Sequence, residues 1–236
     1  EYEAYRKFLD VEYLDEFDIN PAAFKNAMKT KCPIIRHCLN SSMQEMKKYK
    51  IEFNTAIGQD LLTVVTNIAR FGGQYMETFD EVAHENATSV DALGLSELVG
   101  EGYTAYGVIG GGIKSRFLYS LYPDAFSDRN QEGIWAFYFL TDAHNFGFHD
   151  GSEFIMAKMD RDKNTIQQNY HYPYDLFEYY ALHIYKLLRV ACAEKKIPLD
   201  PRYRYIYVSA FLNHVAEQHH DDIRLLKGTS EYDYNG

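Results

Sequence analysis

Residues 107–118 read Gly-Val-Ile-Gly-Gly-Gly-Ile-Lys-Ser-Arg-Phe-Leu, in which an apolar residue and a Gly-x-Gly turn precede a helical pattern. Glycine allows positive φ angles and lets another backbone approach closely. The first amides of the following helix lack helical partners, and with the helix dipole they form a cradle for a phosphate. Lys114 and Arg116 oppose that dipole, which makes more sense if an anion binds there. We therefore predict a helix at 113–121 whose amino end binds phosphate.

The sequence on either side of this turn has a mainly helical pattern. Apolar residues recur at helical spacing, and X-Pro pairs such as Cys32-Pro33 separate the segments. The predicted helices span residues 2–17, 21–31, 34–50, 55–70, 113–121, 131–140, 174–195 and 203–219. Gly72-Gly73 is expected to end the fourth of them. A short capped segment at 90–99 precedes the glycine turn, so residues 90–122 are a candidate helix-hairpin-helix element.

One β-hairpin is predicted within this helical chain. Residues 153–159 and 165–170 flank a charged, turn-like run at 160–164, which is typical of a hairpin. The chain contains 236 residues, enough to bury a core of its own, and we find no repeat, low-complexity tract or strong linker. The predicted fold is therefore mainly α, a single compact helical domain over residues 1–236 with a minor β-hairpin.

Composition and charge narrow the classes of function. The 24 Lys and Arg residues against 34 Asp and Glu residues give a net charge of −10, so any nucleic-acid binding requires a local patch. The longest apolar runs, such as 134–140, fall far short of the ~20 residues that cross a bilayer. No charged-then-apolar leader opens the sequence, which begins at Glu1 rather than Met. We expect a cytoplasmic protein with reduced cysteines and no membrane partner.

Residues 109–114 resemble the hairpin of helix-hairpin-helix proteins, in which an apolar-Gly-x-Gly turn contacts a DNA phosphate. In the DNA glycosylase branch of that superfamily, a lysine soon after the second glycine is the nucleophile and a later aspartate assists it. The resemblance implies that Lys114 and Asp128 are catalytic and that DNA is the partner. We predict no cofactor. The DNA-contacting residues it implies are Gly110, Gly111, Gly112, Ile113, Ser115 and Arg116.

A second resemblance competes for the same residues. Residues 115–119 and 121–126 are similar to a Lys-rich helix followed by a Tyr-Pro-x-x-Phe and Asp pattern in poorly characterised glycosylase-like bacterial proteins. In that alignment Arg116 and Asn130 occupy the Lys and Asp positions. Both catalytic residue types are then missing, and the protein binds DNA without cutting it. Both alignments stay open at this stage.

A metal-dependent hydrolase is the first alternative from another class. Histidine and aspartate cluster at His214 with 219–222, and at His144 with His149-Asp150. The first cluster departs from the i, i+4 spacing of helical metal ligands, and the glycines around the second indicate a loop. We therefore predict no metal ligands.

A non-enzymatic helical interaction module of a larger assembly, with protein partners, is the second alternative. The aromatic segments 170–174 and 203–207 interleave tyrosines with basic and polar residues. Such segments either form a stacking surface for a base or line the inside of packed helices. Binding of neither metal nor nucleic acid would favour the interaction module.

Overall fold

A computed structural model of the chain describes residues 1–42, 46–141, 158–159, 165–166 and 174–231. Its α-helices are α1 (Tyr2–Phe8), α2 (Val11–Asp15), α3 (Pro21–Lys31), α4 (Pro33–Asn40), α5 (Met46–Thr55), α6 (Gly58–Glu77), α7 (Glu81–Glu85), α8 (Gly111–Leu121), α9 (Gln131–Leu140), α10 (Tyr174–Glu194), α11 (Arg204–Gln218) and α12 (His220–Glu231). The mainly helical fold class predicted from the sequence is confirmed.

The first predicted helix, 2–17, is wrong in its extent because a side chain inside it starts a new helix. Asp10 accepts a hydrogen bond from the Tyr13 amide at 3.0 Å and begins α2. An aspartate at this position satisfies an amide that has no helical partner. The expected end at Gly72-Gly73 is also wrong, since α6 continues to Glu77. Close approach explains the first of these glycines: a Cβ on Gly72 would lie 3.0 Å from the Leu118 side chain.

The segment before the glycine turn differs from the first α-helix of a helix-hairpin-helix element. It forms three short 3-10 turns at Asp91–Leu93, Ser96–Val99 and Glu101–Tyr103. Gly94 ends the first turn in the left-handed region, with φ of 67°, and Gly100 is extended. Gly94 thus interrupts the helical pattern expected at 90–99, and Gly100 follows its end. The predicted second helix is present as α8.

Two very short strands lie where the hairpin is predicted. β1 (Lys158–Met159) pairs antiparallel with β2 (Thr165–Ile166), and Lys158 is opposite Ile166. The remaining residues of the predicted hairpin lie outside the described part of the chain, so the hairpin over 153–170 is not confirmed.

The core consists of two apolar clusters that α8 and α10 share. The first cluster gathers buried side chains from α1, α3 and α6. The second lies between α9, α10 and α11. In α8, Phe117 and Leu118 belong to the first cluster, whereas Tyr119 belongs to the second. The glycine turn therefore leads into a helix that is held from both sides.

From the sequence we expect no segment that crosses a membrane. Within the described ranges, no helix is both long enough and apolar enough to cross a bilayer.

Candidate nucleic-acid interface

A tight loop at 105–109 leads into the amino end of α8. The Ala105 amide donates to the Ile109 carbonyl at 3.1 Å, and the Ile109 amide donates back at 2.7 Å. Gly107 adopts a φ of 77°, and a Cβ there would lie 2.8 Å from the Glu52 side chain, so glycine is required on both counts. Tyr106 stands at the loop tip with 79% of its surface exposed. The loop thus places an exposed aromatic ring just before α8.

The amino end of α8 is uncapped and accessible. Gly110 is the N-cap residue and has no side chain to accept a hydrogen bond from the first amides. Several other α-helices begin with a capping side chain, namely those that follow Asp10, Asn20, Asp80 and Asn130. A Cβ on Gly110 would meet no atom within 4 Å, so there is open space at this helix end. The position therefore has room for an anionic group from outside the chain.

Arg129 brings a positive charge to the same helix end. A Cβ on Gly111 would lie 3.3 Å from Nη1 of Arg129, so the guanidinium lies directly beside the first turn of α8. Ser115 fixes this approach, because its Oγ accepts from the Arg129 amide at 3.0 Å and donates to the Gly112 carbonyl at 2.9 Å. A guanidinium beside a helix amino end is repelled by the dipole and is stabilised when an anion lies near both.

Lys114 is a buried side chain rather than an exposed one. It is only 4% exposed, and its Nζ donates to the Leu98 carbonyl and, at 3.3 Å, to Oγ1 of Thr104. Burial lowers the pKa of this ammonium to about 8, and the nearby Arg129 charge adds to the effect. Lys114 thus ties α8 to the segment before the glycine turn.

Arg116, Asp128 and Asn130 come together on the opposite side of α8. Nη2 of Arg116 lies 2.9 Å from Oδ2 of Asp128, and the side-chain Nδ2 of Asn130 donates to the same oxygen at 3.1 Å. Asn130 also reaches Oδ1 of Asn213 on α11 at 3.4 Å. Burial raises the pKa of Asp128 to about 6, although the Arg116 charge acts to lower it. The structure therefore brings Asp128 of the first alignment together with Arg116 and Asn130 of the second, whereas Lys114 lies apart from them.

Helix geometry explains why the side chains of Lys114 and Arg116 point in different directions. Residues two apart on an α-helix point to nearly opposite sides, so they do not face one another. With Arg116 directed at Asp128, Lys114 is directed at Leu98. The pairing of Lys114 with Asp128 that the glycosylase resemblance implies is not formed.

Three cations, Lys114, Arg116 and Arg129, lie around the first turns of α8, and the pKa of about 8 leaves the lysine largely protonated at pH 7. The side chains of Lys114 and Arg129 are buried, and Arg116 pairs with Asp128. The carboxylate of Glu132 also acts on Asp128, so negative charge is present on that side of the helix. The cations closest to the helix end favour an anionic ligand there.

A fully buried carboxylate holds the loop that carries Asp128, Arg129 and Asn130. Oε2 of Glu178 on α10 accepts from both the amide and the Oγ of Ser127, each at 2.7 Å. Burial raises the pKa of Glu178, while the Ser127 hydrogen bonds act to lower it.

Two tyrosines extend the buried polar network around Glu178. Tyr174 donates to the Ser127 carbonyl at 3.1 Å. The Tyr205 hydroxyl hydrogen-bonds to the Glu178 side chain, and its Oη lies 2.7 Å from Nε2 of His84. Burial lowers the pKa of His84 to about 3. The network therefore links α7, α10 and α11 to the loop beside α8.

The C-terminal histidines pair with neighbouring carboxylates. Nδ1 of His219 lies 3.1 Å from Oδ2 of Asp222, and its ring stacks on Phe139 with centroids 4.0 Å apart. His214 and His220 are exposed and lie 3.9 and 3.6 Å from the carboxylates of Glu217 and Asp221. Among the described residues no group of three or more potential ligands could hold a metal ion. His144, His149 and Asp150 lie outside the described residues.

The two aromatic segments do not form an exposed stacking surface where they are described. Tyr174, Arg204 and Tyr205 are buried, and only Tyr203 is markedly exposed. Residues 170–173 lie outside the described part of the chain. Of the two interpretations left open by the sequence, Arg204 and Tyr205 fit the one in which the segment lines the inside of packed helices, because α11 begins at Arg204 and both side chains are buried.

Sequence reasoning missed Tyr106, Arg129 and Glu178. The signal for Glu178 is present in the sequence, since Tyr174, Glu178 and Leu182 recur every four residues and so share one helix face. A charged residue on an apolar face indicates a buried polar contact. For Arg129 and Tyr106 the pattern holds no comparable signal, because their positions depend on how two loops fold back onto α8.

Comparisons with known proteins do not assign a function, so any assignment rests on the geometry of the site. No protein-family model, no curated protein and no solved structure matches the chain.

Proposed function

We propose that this protein binds the phosphate backbone of a nucleic acid, with DNA as the expected partner, at the amino end of α8. The observation that carries the proposal is the uncapped, open helix end at Gly110 with the Arg129 guanidinium beside Gly111. Backbone amides and the helix dipole favour an anion there, and the neighbouring cations add to the attraction. Because the contact is small, we expect a local and non-catalytic interaction.

Glycosylase chemistry through Lys114 is not part of the proposal. A lysine nucleophile must reach the sugar carbon with a free, deprotonated amine. The Lys114 ammonium instead donates to Leu98 and Thr104 inside the fold, at 4% exposure. Its lowered pKa follows from burial, which is a sufficient structural cause. Binding without Lys114 chemistry is the function that this geometry supports best.

Tyr106 gives the proposed interface an aromatic contact next to the phosphate site. Its ring is exposed at the tip of the loop, four residues before the Gly110 helix end. An exposed tyrosine beside a backbone-binding group can stack on a base or a sugar without selecting a sequence. We therefore expect unpaired nucleotides to increase the affinity relative to blunt duplex DNA.

Two variants at one position separate anion binding from folding. Gly110 has a φ of −105°, which any residue can adopt, and there is room for a side chain. Gly110→Asp supplies a capping carboxylate that accepts from the first amides and repels phosphate, while leaving the helix as stable or slightly more so. Gly110→Ala adds a Cβ without a charge or a cap. Fluorescence anisotropy with a labelled 20-base-pair duplex carrying a single-stranded overhang measures both.

The expected result is loss of binding in Gly110→Asp and nearly unchanged binding in Gly110→Ala, with both variants as thermostable as the parent protein. The logarithm of the affinity should fall with the logarithm of the salt concentration with a shallow slope, about −1 to −3, because few phosphates are contacted. No binding by the parent protein at low salt would refute the proposal, and so would equal binding by the two variants.

Covalent chemistry has its own test. Borohydride reduction in the presence of abasic DNA traps the imine that a lysine nucleophile forms with the sugar. We expect no adduct with the parent protein, since Lys114 is turned into the fold. An adduct that disappears in Lys114→Met would reverse this conclusion and restore the catalytic assignment.

A further inference from the structure

The last turns of α10 carry a solvent-exposed apolar face. Leu187 and Val190 are 66% and 59% exposed, and they lie one turn apart on the same side of the helix. Ala193, also exposed, continues this face by one more turn. Exposed apolar residues such as Ile19 and Val82 occur elsewhere, and neither belongs to such a repeat. A repeated apolar face on a surface helix indicates an interaction site.

The face has the spacing of a helix-helix seam. His183, Leu187, Val190 and Glu194 follow one another at intervals of four, three and four residues. This alternation keeps side chains on one stripe, as it does at the contact positions of paired helices. The stripe includes His183 and Glu194 at its ends, which suits a contact with an apolar centre and a polar rim.

The stripe is complementary to itself in the antiparallel direction. A two-fold axis at Val190 places each residue opposite the one that lies equally far on the other side of Val190. Leu187 then faces Ala193 of a second copy, so a large side chain meets a small one. Lys186 faces Glu194, so opposite charges meet twice, once on each side of the axis. In a parallel pair Lys186 would instead face Lys186, and the charges would repel.

The side chains that this pairing needs are accessible. Ala193 and Glu194 are exposed, and Lys186 is half-buried with its Nζ 3.4 Å from the Ala87 carbonyl. That distance is at the long end of hydrogen-bond lengths, so Lys186 can exchange this contact for a carboxylate at little cost. Arg189 is directed away from the stripe, where it pairs with Glu85.

We propose that this protein forms a two-fold symmetric dimer through antiparallel pairing of α10, centred on Val190. The contact spans about three helical turns on each copy, which is less than the ~1,200 Å² of a standard interface. The dimer is therefore weak and depends on concentration, with dissociation in the micromolar range. The inference stands on the α10 surface alone and does not require the nucleic-acid proposal.

Analytical ultracentrifugation of the full chain over about 1 to 300 µM tests the dimer. Val190→Glu places two carboxylates face to face at the axis, so we expect a monomer at every concentration. Ile19→Glu is the matched control, because it places the same charge at an exposed isoleucine in another part of the molecule. It should dimerise like the parent protein. Circular dichroism checks that both variants keep the helical fold.

Charge reversal tests the direction of the pairing. Lys186→Glu and Glu194→Lys should each weaken the dimer by about tenfold, since each turns two attractive pairs into repulsive ones. The double variant should recover most of the parent affinity, because the pairs are restored with their signs exchanged. A monomeric parent protein at 300 µM would overturn the proposal. A dimer that withstands Val190→Glu, or charge reversals that do not recover in the double variant, would overturn it equally.

Discussion

Removal of the Glu178 carboxylate should release the loop beside α8. Its Oε2 accepts from the Ser127 amide and from the Ser127 Oγ, both at 2.7 Å, with the side chain fully buried. A donor left unpaired in the interior costs about 1–3 kcal/mol. Glu178→Ala leaves the two Ser127 donors without their acceptor, so it should lower the free energy of unfolding by about 3–5 kcal/mol.

Thermal and urea unfolding measure this loss. For a chain of this size 1 kcal/mol shifts the Tm by about 2–4 °C, so a decrease of roughly 10 °C is expected. A double-mutant cycle with Ser127→Ala isolates the Oγ contact and should give a coupling energy of about 1–3 kcal/mol. Tyr179→Phe is the matched control on the next residue of α10, because it removes a hydrogen bond to the Thr88 carbonyl. It should be additive with Ser127→Ala.

Two outcomes would refute this reasoning. A loss below about 1 kcal/mol in Glu178→Ala would mean that the carboxylate does not hold the loop. A coupling energy near zero between Glu178 and Ser127 would mean that the two groups do not act together.

Three further predictions concern single residues. Lys196 has a φ of 59° at the end of α10, a conformation that favours glycine, so Lys196→Gly should raise the free energy of unfolding by about 0.5–1 kcal/mol and Lys195→Gly should not. Gly107→Ala should cost more than about 1 kcal/mol in urea unfolding because of the positive φ and the Glu52 contact, whereas Gly110→Ala should cost less than half as much. The pKa of Asp128 is about 6 against 3.8 for an ordinary aspartate, so the folded state holds this proton to higher pH than the unfolded chain. The protonated Asp128 side chain therefore stabilises the folded state fully below pH 4. As the pH rises to 6 this contribution is lost, and the free energy of unfolding falls by about 3 kcal/mol. Asp128→Asn should remove that decrease.

The sequence predicted the helical class because amphipathic periodicity and X-Pro pairs are local signals. The helix following the glycine turn was predicted from 113 and begins at Gly111. The positions of the helix ends depend on individual contacts, which a periodic pattern of apolar residues does not encode. Asp10 starts a new helix within 2–17, and α6 passes through Gly72, which lies against Leu118.

The sequence singles out the glycine turn at 107–112 but does not show where the neighbouring side chains point. In the structure Gly110 lies at an open helix end, and phosphate binding there stays a prediction. The sequence could not show that Lys114 points into the fold, because that depends on Leu98, sixteen residues earlier. It also could not place the Arg129 guanidinium beside Gly111, since this requires the loop held by Glu178 to fold back onto α8.

The amides at the start of α8 offer the most direct test of the phosphate site. In a ¹⁵N-labelled sample titrated with a short DNA strand, the signals of Gly110, Gly111, Gly112 and Ile113 should shift together as the strand binds, and increasing salt should reverse the shifts. The same titration of Gly110→Asp should leave them unmoved. Binding that shifts other amides and leaves these four in place, or a strand that shifts none at low salt, would contradict the proposal that this helix end binds backbone phosphate.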